Sequence, residues 1–213
     1  LITFEGIEGV GKSTQIDKLH NYLIDSGFTS SVIREPGSTP FGEDIRNLLL
    51  NTTHDISSHA ELLLMFAARS ALVDTFLKKP KTDFILCDRF YDASIAYQGY
   101  GRGLDIMFIN HLIKAIGCPE PDLTFILDLD PVEGFKRKST DKMDRIESSG
   151  IDFFKNVRSE KFASFNCKKT LKEVKQELLK RLYKPIYIPI IALLTCFLIS
   201  TSISLIPNAV SFC

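Results

Sequence analysis

Eight residues near the amino terminus, Gly6-Ile7-Glu8-Gly9-Val10-Gly11-Lys12-Ser13, fit the pattern G-x-x-x-x-G-K-[ST], and no other stretch restricts the fold as much. The pattern has a physical meaning only where a strand ends and a helix begins. Both neighbours are present: Leu1 to Glu5 is a short apolar run, and Ile16, Leu19 and Leu23 share one face of the next stretch. The glycines let the backbone fold around a phosphate with its N–H groups pointing inward, and the helix N-terminus adds partial positive charge. Gly6, Ile7, Gly9, Val10, Gly11 and Thr14 are therefore candidate nucleotide-binding residues. Lys12 is expected to reach the β- and γ-phosphates, and the Ser13 hydroxyl to bind Mg²⁺. Glu8 is out of character in such a loop. A carboxylate among groups that cradle anions needs a cationic or hydroxyl partner, or it faces solvent. The candidate partners are an acceptor's hydroxyl and a magnesium-bound water.

The remaining apolar runs extend the same scheme. Ser31 to Ile33 reads as a second strand that stops at a Pro36-Gly37 turn. Ile45, Leu48 and Leu49 suggest a short helix, and Ala60 to Lys79 a long one. Phe84 to Cys87 is a continuous apolar strand that delivers Asp88 and Arg89 at its end. Leu123 to Leu127 does the same for Asp128 and Asp130, and Pro131 opens a further helix. Fully apolar strands alternating with helices imply a parallel sheet covered on both faces, a doubly wound α/β fold. The 213 residues suffice for one such domain. With 26 basic against 26 acidic residues there is no global field to recruit nucleic acid, so none is expected as a partner. Five cysteines are scattered without a CxxC or metal-type cluster, which implies reduced thiols and a cytoplasmic location. No leader is read, because the first residues already form a core strand.

In order along the chain stand FEGIEGVGKST, REPGSTPFGEDIRNLLL, LLLMFAAR, CDRFYDASIAYQG, PDLTFILDLDP and DRIE. Six such pieces at fitting spacing resemble the bacterial thymidylate kinases over residues 1–157. The resemblance implies transfer of the γ-phosphate of ATP to dTMP, with Mg²⁺ as cofactor and a homodimer as the assembled state. It assigns Glu8 to the acceptor's 3′-hydroxyl and to magnesium. Arg46 would grip the acceptor phosphate, with Arg34 nearby, since a guanidinium offers paired donors to phosphate oxygens. Arg89 would clamp phosphate during transfer, and Asp88 would orient it or a magnesium-bound water. Phe66 and Arg69 would stack on thymine and hydrogen-bond its carbonyl. Many relatives carry the ring four residues before the arginine, where this chain has Met65. Tyr97 would crowd the sugar 2′ position and favour deoxyribose. Ser94 and Gln98 belong to the same segment, with Gln98 meeting the base or its surrounding loop. In one design of the family the loop carries an arginine at the place of Gly9. Chains without it supply the transition-state cation from a lid, here about residues 135–145, with Arg137 as first choice and Lys138 and Lys142 as alternatives. Arg145 of DRIE would contact phosphate or anchor the lid.

Beyond Arg158 the resemblance weakens, with an apparent shortening near residues 158–162. Phe162 to Phe165 is the candidate last strand, Asn166-Cys167-Lys168 an adenine loop, and Leu171 to Tyr183 a closing helix. The kinase domain is read as residues 1–183, followed by an apolar tail, 184–213. Ile186 to Ile206 carries no charge and is long enough to cross a bilayer, so any membrane contact would come through it. The other readings of the tail are a packed helix and a fused segment without selected function. Besides a kinase of dTMP, two further readings remain open: a kinase of another nucleoside monophosphate, and a catalytically weak nucleotide-binding protein held at a membrane.

Overall fold

Four parallel strands form the centre of the computed structural model, which describes residues 1–138 and 143–164. They are β1 (Ile2–Glu5), β2 (Ser30–Arg34), β3 (Phe84–Asp88) and β4 (Leu123–Ile126), in the spatial order β2-β3-β1-β4. The register sets Phe4 between Asp88 and Phe125, so the carboxyl ends of β1 and β3 finish level with each other. Around the sheet run α1 (Lys12–Asp25), α2 (Pro40–Asn51), α3 (Ser58–Leu72), α4 (Tyr91–Ser94), α5 (Ile106–Ala115), α6 (Pro131–Arg137) and α7 (Ile151–Ser164). Helices cover both sides, as the apolar strands require.

Alternation along β3 shows how the two layers are divided. Leu86 packs with Phe4, Leu19, Leu23 and Phe125 in one cluster that also takes Phe154 and Val157 of α7. Its neighbours Ile85 and Cys87 point the other way, to Ile33, Leu72 and Val73. Each side chain of this size buried is worth about 1.5–3 kcal/mol. Helix starts follow local chemistry. Thr39 accepts from the backbone N–H of Gly42 ahead of Pro40, Ser57 from Ala60, Asp105 from Met107 and Asp130 from Val132.

The long helix expected over residues 60–79 ends as an α-helix at Leu72 and continues through π-helical turns over Val73–Leu77. A second π-helical stretch, Ile95–Gly101, extends α4 and carries Tyr97 and Gln98. One expectation fails. Phe162 to Ser164 is helix rather than strand, since α7 runs unbroken through Ser164. Its sequence from Ile151 to Ser164 has no glycine or proline to stop it. The proposed adenine loop, the closing helix and the tail lie outside the described residues. Among the described residues no helix is long and apolar enough to cross a membrane.

Candidate active site

The loop between β1 and α1 wraps the helix N-terminus, and the Lys12 ammonium donates to the carbonyl oxygens of Gly6 at 3.2 Å and Ile7 at 3.0 Å. Ile7 and Val10 are buried in the core, so their side chains anchor the loop and only their backbone is available to a ligand. Gly9, Gly11, Lys12, Ser13 and Thr14 line a cleft together with Asp88, Arg89, Arg137 and Lys138. Gly9 has φ 72°, and a Cβ placed there would stand 2.2 Å from the carbonyl oxygen of Gly134 on α6. No side chain fits at position 9, so the backbone of α6 occupies the space that a loop arginine would need. Arg137 and Lys138 reach the cleft from the end of α6.

Beside this cleft lies a second cavity lined by Glu8, Arg46, Arg69, Arg89, Ser94, Tyr97 and Gln98, with Met65, Leu50 and Phe90 as apolar wall. Glu8 joins the two. It accepts from the Arg89 guanidinium at 2.6 Å and from the Tyr97 hydroxyl at 3.0 Å. Burial opposes its charge, but Arg89, Lys12 and Tyr97 outweigh that and hold its pKa below the ordinary carboxylate value. Arg89 is itself held in a left-handed backbone conformation, φ 69°, which costs on the order of 1–3 kcal/mol and turns its side chain back over the loop. There it also donates to the Gly6 carbonyl at 2.9 Å and lies 5.0 Å from the Tyr97 ring centre. Burial works against its charge too, yet Tyr97, Glu8 and Asp88 raise its pKa further.

At the deeper end, Arg69 is buried and almost fully engaged. Its Nε donates to Glu35 at 2.7 Å, and its Nη2 to the Ser94 hydroxyl at 3.0 Å and the Phe90 carbonyl at 3.3 Å. Nη1 is buried without a partner, as is Oε1 of Glu35. An unsatisfied guanidinium nitrogen on a cavity wall is a ready donor for a polar ligand. Phe66 is not among the residues that line this cavity. It is 3% exposed, packs with Leu62 and Ile109, and lies 4.5 Å beneath the Arg69 guanidinium. Met65 lines the cavity in its place. One helical residue step, about 100°, separates the two faces, which is why three-before and four-before spacings do not substitute for each other. Arg46 donates to the Pro36 carbonyl at 2.8 Å and faces both spaces. Arg34 is half exposed, pairs with Glu43 at 2.9 Å and edges only the phosphate cleft.

The family model for thymidylate kinase matches residues 4–183. The chain belongs to the thymidylate kinase family. It is 44% identical over 171 residues to the thymidylate kinase of Prosthecochloris aestuarii, covering 74% of this chain and 77% of that one. With the thymidylate kinase of Chlorobaculum tepidum it shares 45% over 172 residues, 74% of this chain and 80% of the relative. The crystal structure of the thymidylate kinase from Ehrlichia chaffeensis superposes with a TM-score of 0.64 at 32% identity, covering 86% of this chain and 97% of that one.

Within this thymidylate kinase frame several residues at the site carry no motif signal of their own. Glu35 and Glu61 are buried acids whose partners lie far away in sequence. Glu147 holds Lys138 in an ion pair, so Lys138 is restrained while Arg137 lines the cleft beside it. Arg145 anchors rather than reaching for phosphate: it bonds Glu61 at 2.6 Å and the Leu49 carbonyl at 2.7 Å. Lys142 lies outside the described residues. Because a buried glutamate and an exposed one read alike, the only sequence signal for Glu35 and Glu147 was their position inside motifs, and Glu61 lies just outside one.

Proposed function

We propose that this chain phosphorylates dTMP from ATP, giving dTDP and ADP for dTTP synthesis. The observation that carries the reading is Glu8, a carboxylate of the phosphate loop tied at once to Arg89 and Tyr97 of the neighbouring cavity. This arrangement sets a donor cleft and an acceptor cavity on either side of one loop. Neither rival reading is favoured, since the relatives are thymidylate kinases along most of their length.

In this reading the loop N–H groups and Lys12 hold the donor phosphates, and Arg46 and Arg89 hold the acceptor phosphate. Phosphoryl transfer asks for alignment and neutralised charge more than for a strong base. Arg137 supplies the lid cation, at the mouth of the donor cleft. Arg69 offers its unpartnered Nη1 to the base, and Tyr97 stands over the sugar side next to Glu8. Ser94 and Gln98 contribute by orienting and lining this end.

Mg²⁺ fits the residues present. Oδ1 of Asp88 is buried without a partner, and the Ser13 hydroxyl lines the same cleft. Among the described residues no group of three or more His, Cys, Asp or Glu is placed to hold a metal. Ser13, Asp88 and nucleotide phosphates would share the ion, as hard oxygen ligands for Mg²⁺ do. Bound there, it would neutralise charge on the phosphates.

The proposal includes a homodimer in the cytoplasm. Phe41 and Leu48 on α2 and Leu63 on α3 are about half exposed on packed neighbouring helices, which supports pairing through that face. Light scattering after size exclusion tests the assembly. The decisive assay is ADP production by the full chain with dTMP, dUMP, dCMP and AMP. Turnover led by dTMP supports the reading, and equal or faster turnover of AMP overturns it.

A further inference from the structure

Glu61 stands on the first turn of α3, and its side chain is 1% exposed. Three residues from two other parts of the chain converge on it. Gln98 Nε2 donates to Oε1 at 2.9 Å, Arg102 to both oxygens at 3.4 and 3.3 Å, and Arg145 to Oε2 at 2.6 Å. Glu61 itself lines neither the donor cleft nor the acceptor cavity. Its partners do, or hold residues that do. Gln98 is part of the acceptor cavity wall, and Arg145 lies between Asp144 and Ile146, which line it too. Arg145 also donates through Nε to Leu49 and through its backbone N–H, at 3.2 Å, to the carbonyl of Leu50, another wall residue.

Three walls of the acceptor cavity are therefore tied to one carboxylate: the extension of α4 and the end of the lid directly, and the end of α2 through Arg145. The chemistry of the contact gives it direction. An ionised carboxylate only accepts, so Gln98 must turn its amide nitrogen towards Glu61, and the orientation of that amide is set. Burial opposes the charge of Glu61, but Gln98, Arg145 and Arg102 outweigh it and keep the pKa below the ordinary value. Arg102 is braced in turn over the Phe153 ring, 4.5 Å from its centre.

We propose that Glu61 is a positioning residue for the acceptor nucleotide, holding Gln98 and residues 144–146 in place around the base end of the cavity without touching either substrate. The proposal rests on the dTMP kinase reading above. It distinguishes Glu61 from a structural ion pair by substrate: Gln98 and Ile146 line the acceptor cavity alone and Asp144 lines the donor cleft as well, so the acceptor site depends on Glu61 far more than the donor site does.

The test compares the full chain with its Glu61→Gln variant, measuring KM for dTMP and for ATP, kcat, and dTMP binding by calorimetry without ATP. The variant should raise KM and Kd for dTMP about five- to twentyfold while KM for ATP stays within about twofold. An unchanged KM for dTMP in the folded variant overturns the proposal, as does an equal rise for both substrates. If Glu61→Gln does not fold, Arg102→Met removes a partner that is only part-buried. It should raise KM for dTMP about two- to threefold and leave ATP alone, and no change there overturns the proposal. A parent chain that fails to turn over dTMP refutes the kinase reading. Calorimetric dTMP binding then still decides the role of Glu61.

Discussion

The donor cleft and the acceptor cavity share Glu8 but are built in opposite ways. In the phosphate loop, neighbours in space are neighbours in sequence: Lys12 meets Gly6 and Ile7, six and five residues back. Around the acceptor, partners are 25 residues apart for Arg69 and Ser94, 81 for Arg89 and Glu8, and 96 for Arg145 and Leu49. The donor side is mostly backbone geometry, fixed by glycine and a helix N-terminus. The acceptor side is a net of buried charges, each oriented by another. Damage to the first should remove chemistry and spare the fold, whereas damage to the second should mix binding with stability.

The largest expected effect tests the local half. Lys12→Ala should lower kcat by about 10³-fold, roughly 4 kcal/mol of transition-state stabilisation, with the unfolding midpoint little changed. A comparable loss of thermal stability would break the contrast.

Glu35 tests the networked half through pH. Burial pushes its carboxyl up to about 7, against the pull of Arg69. Its folded value then exceeds the unfolded value, so the folded chain binds more protons between about pH 4.5 and 7. Unfolding free energy should therefore fall as pH rises through that window and level off above it. Relative to Glu35→Gln, the fall should amount to at most roughly 3 kcal/mol. Urea denaturation of both proteins at pH 5 and pH 8 measures it, and parallel pH dependences would refute it.

Arg46 stands between the two halves. Its replacement by Ala should cost about ten- to a hundredfold in kcat/KM for dTMP, or roughly 1.5–3 kcal/mol, while ATP binding holds. Loss of ATP affinity with dTMP affinity intact would move Arg46 to the donor side. The smallest effect sharpens the acceptor assignment. The thymine methyl against an apolar wall that includes Met65 should favour dTMP over dUMP by roughly 1 kcal/mol, about fivefold in kcat/KM. No preference at all would place the base elsewhere.

The parallel sheet, the phosphate loop and the delivery of Asp88 and Arg89 at the end of β3 were legible because each follows from a local pattern. Apolar runs, glycines and caps act within a few residues. Phe66 and Met65 show where that ends. Both are apolar residues on the same helix, and only the rotation of α3 against α5 decides that one fills the core under Arg69 while the other faces the cavity. The α7 helix makes the same point, since it runs through residues whose apolar pattern also suits a strand. The partners of Glu35 and Glu61 carry no signal in sequence either, because each carboxylate's partner is set by which distant segments the fold brings together. The sequence by itself determined a strand–loop–helix that binds phosphate and the alternation that makes a parallel sheet, since these depend on backbone conformations specific residues permit. Only the tertiary structure decided which buried charges face one another around the acceptor, since burial makes every such charge depend on the partner that packing supplies.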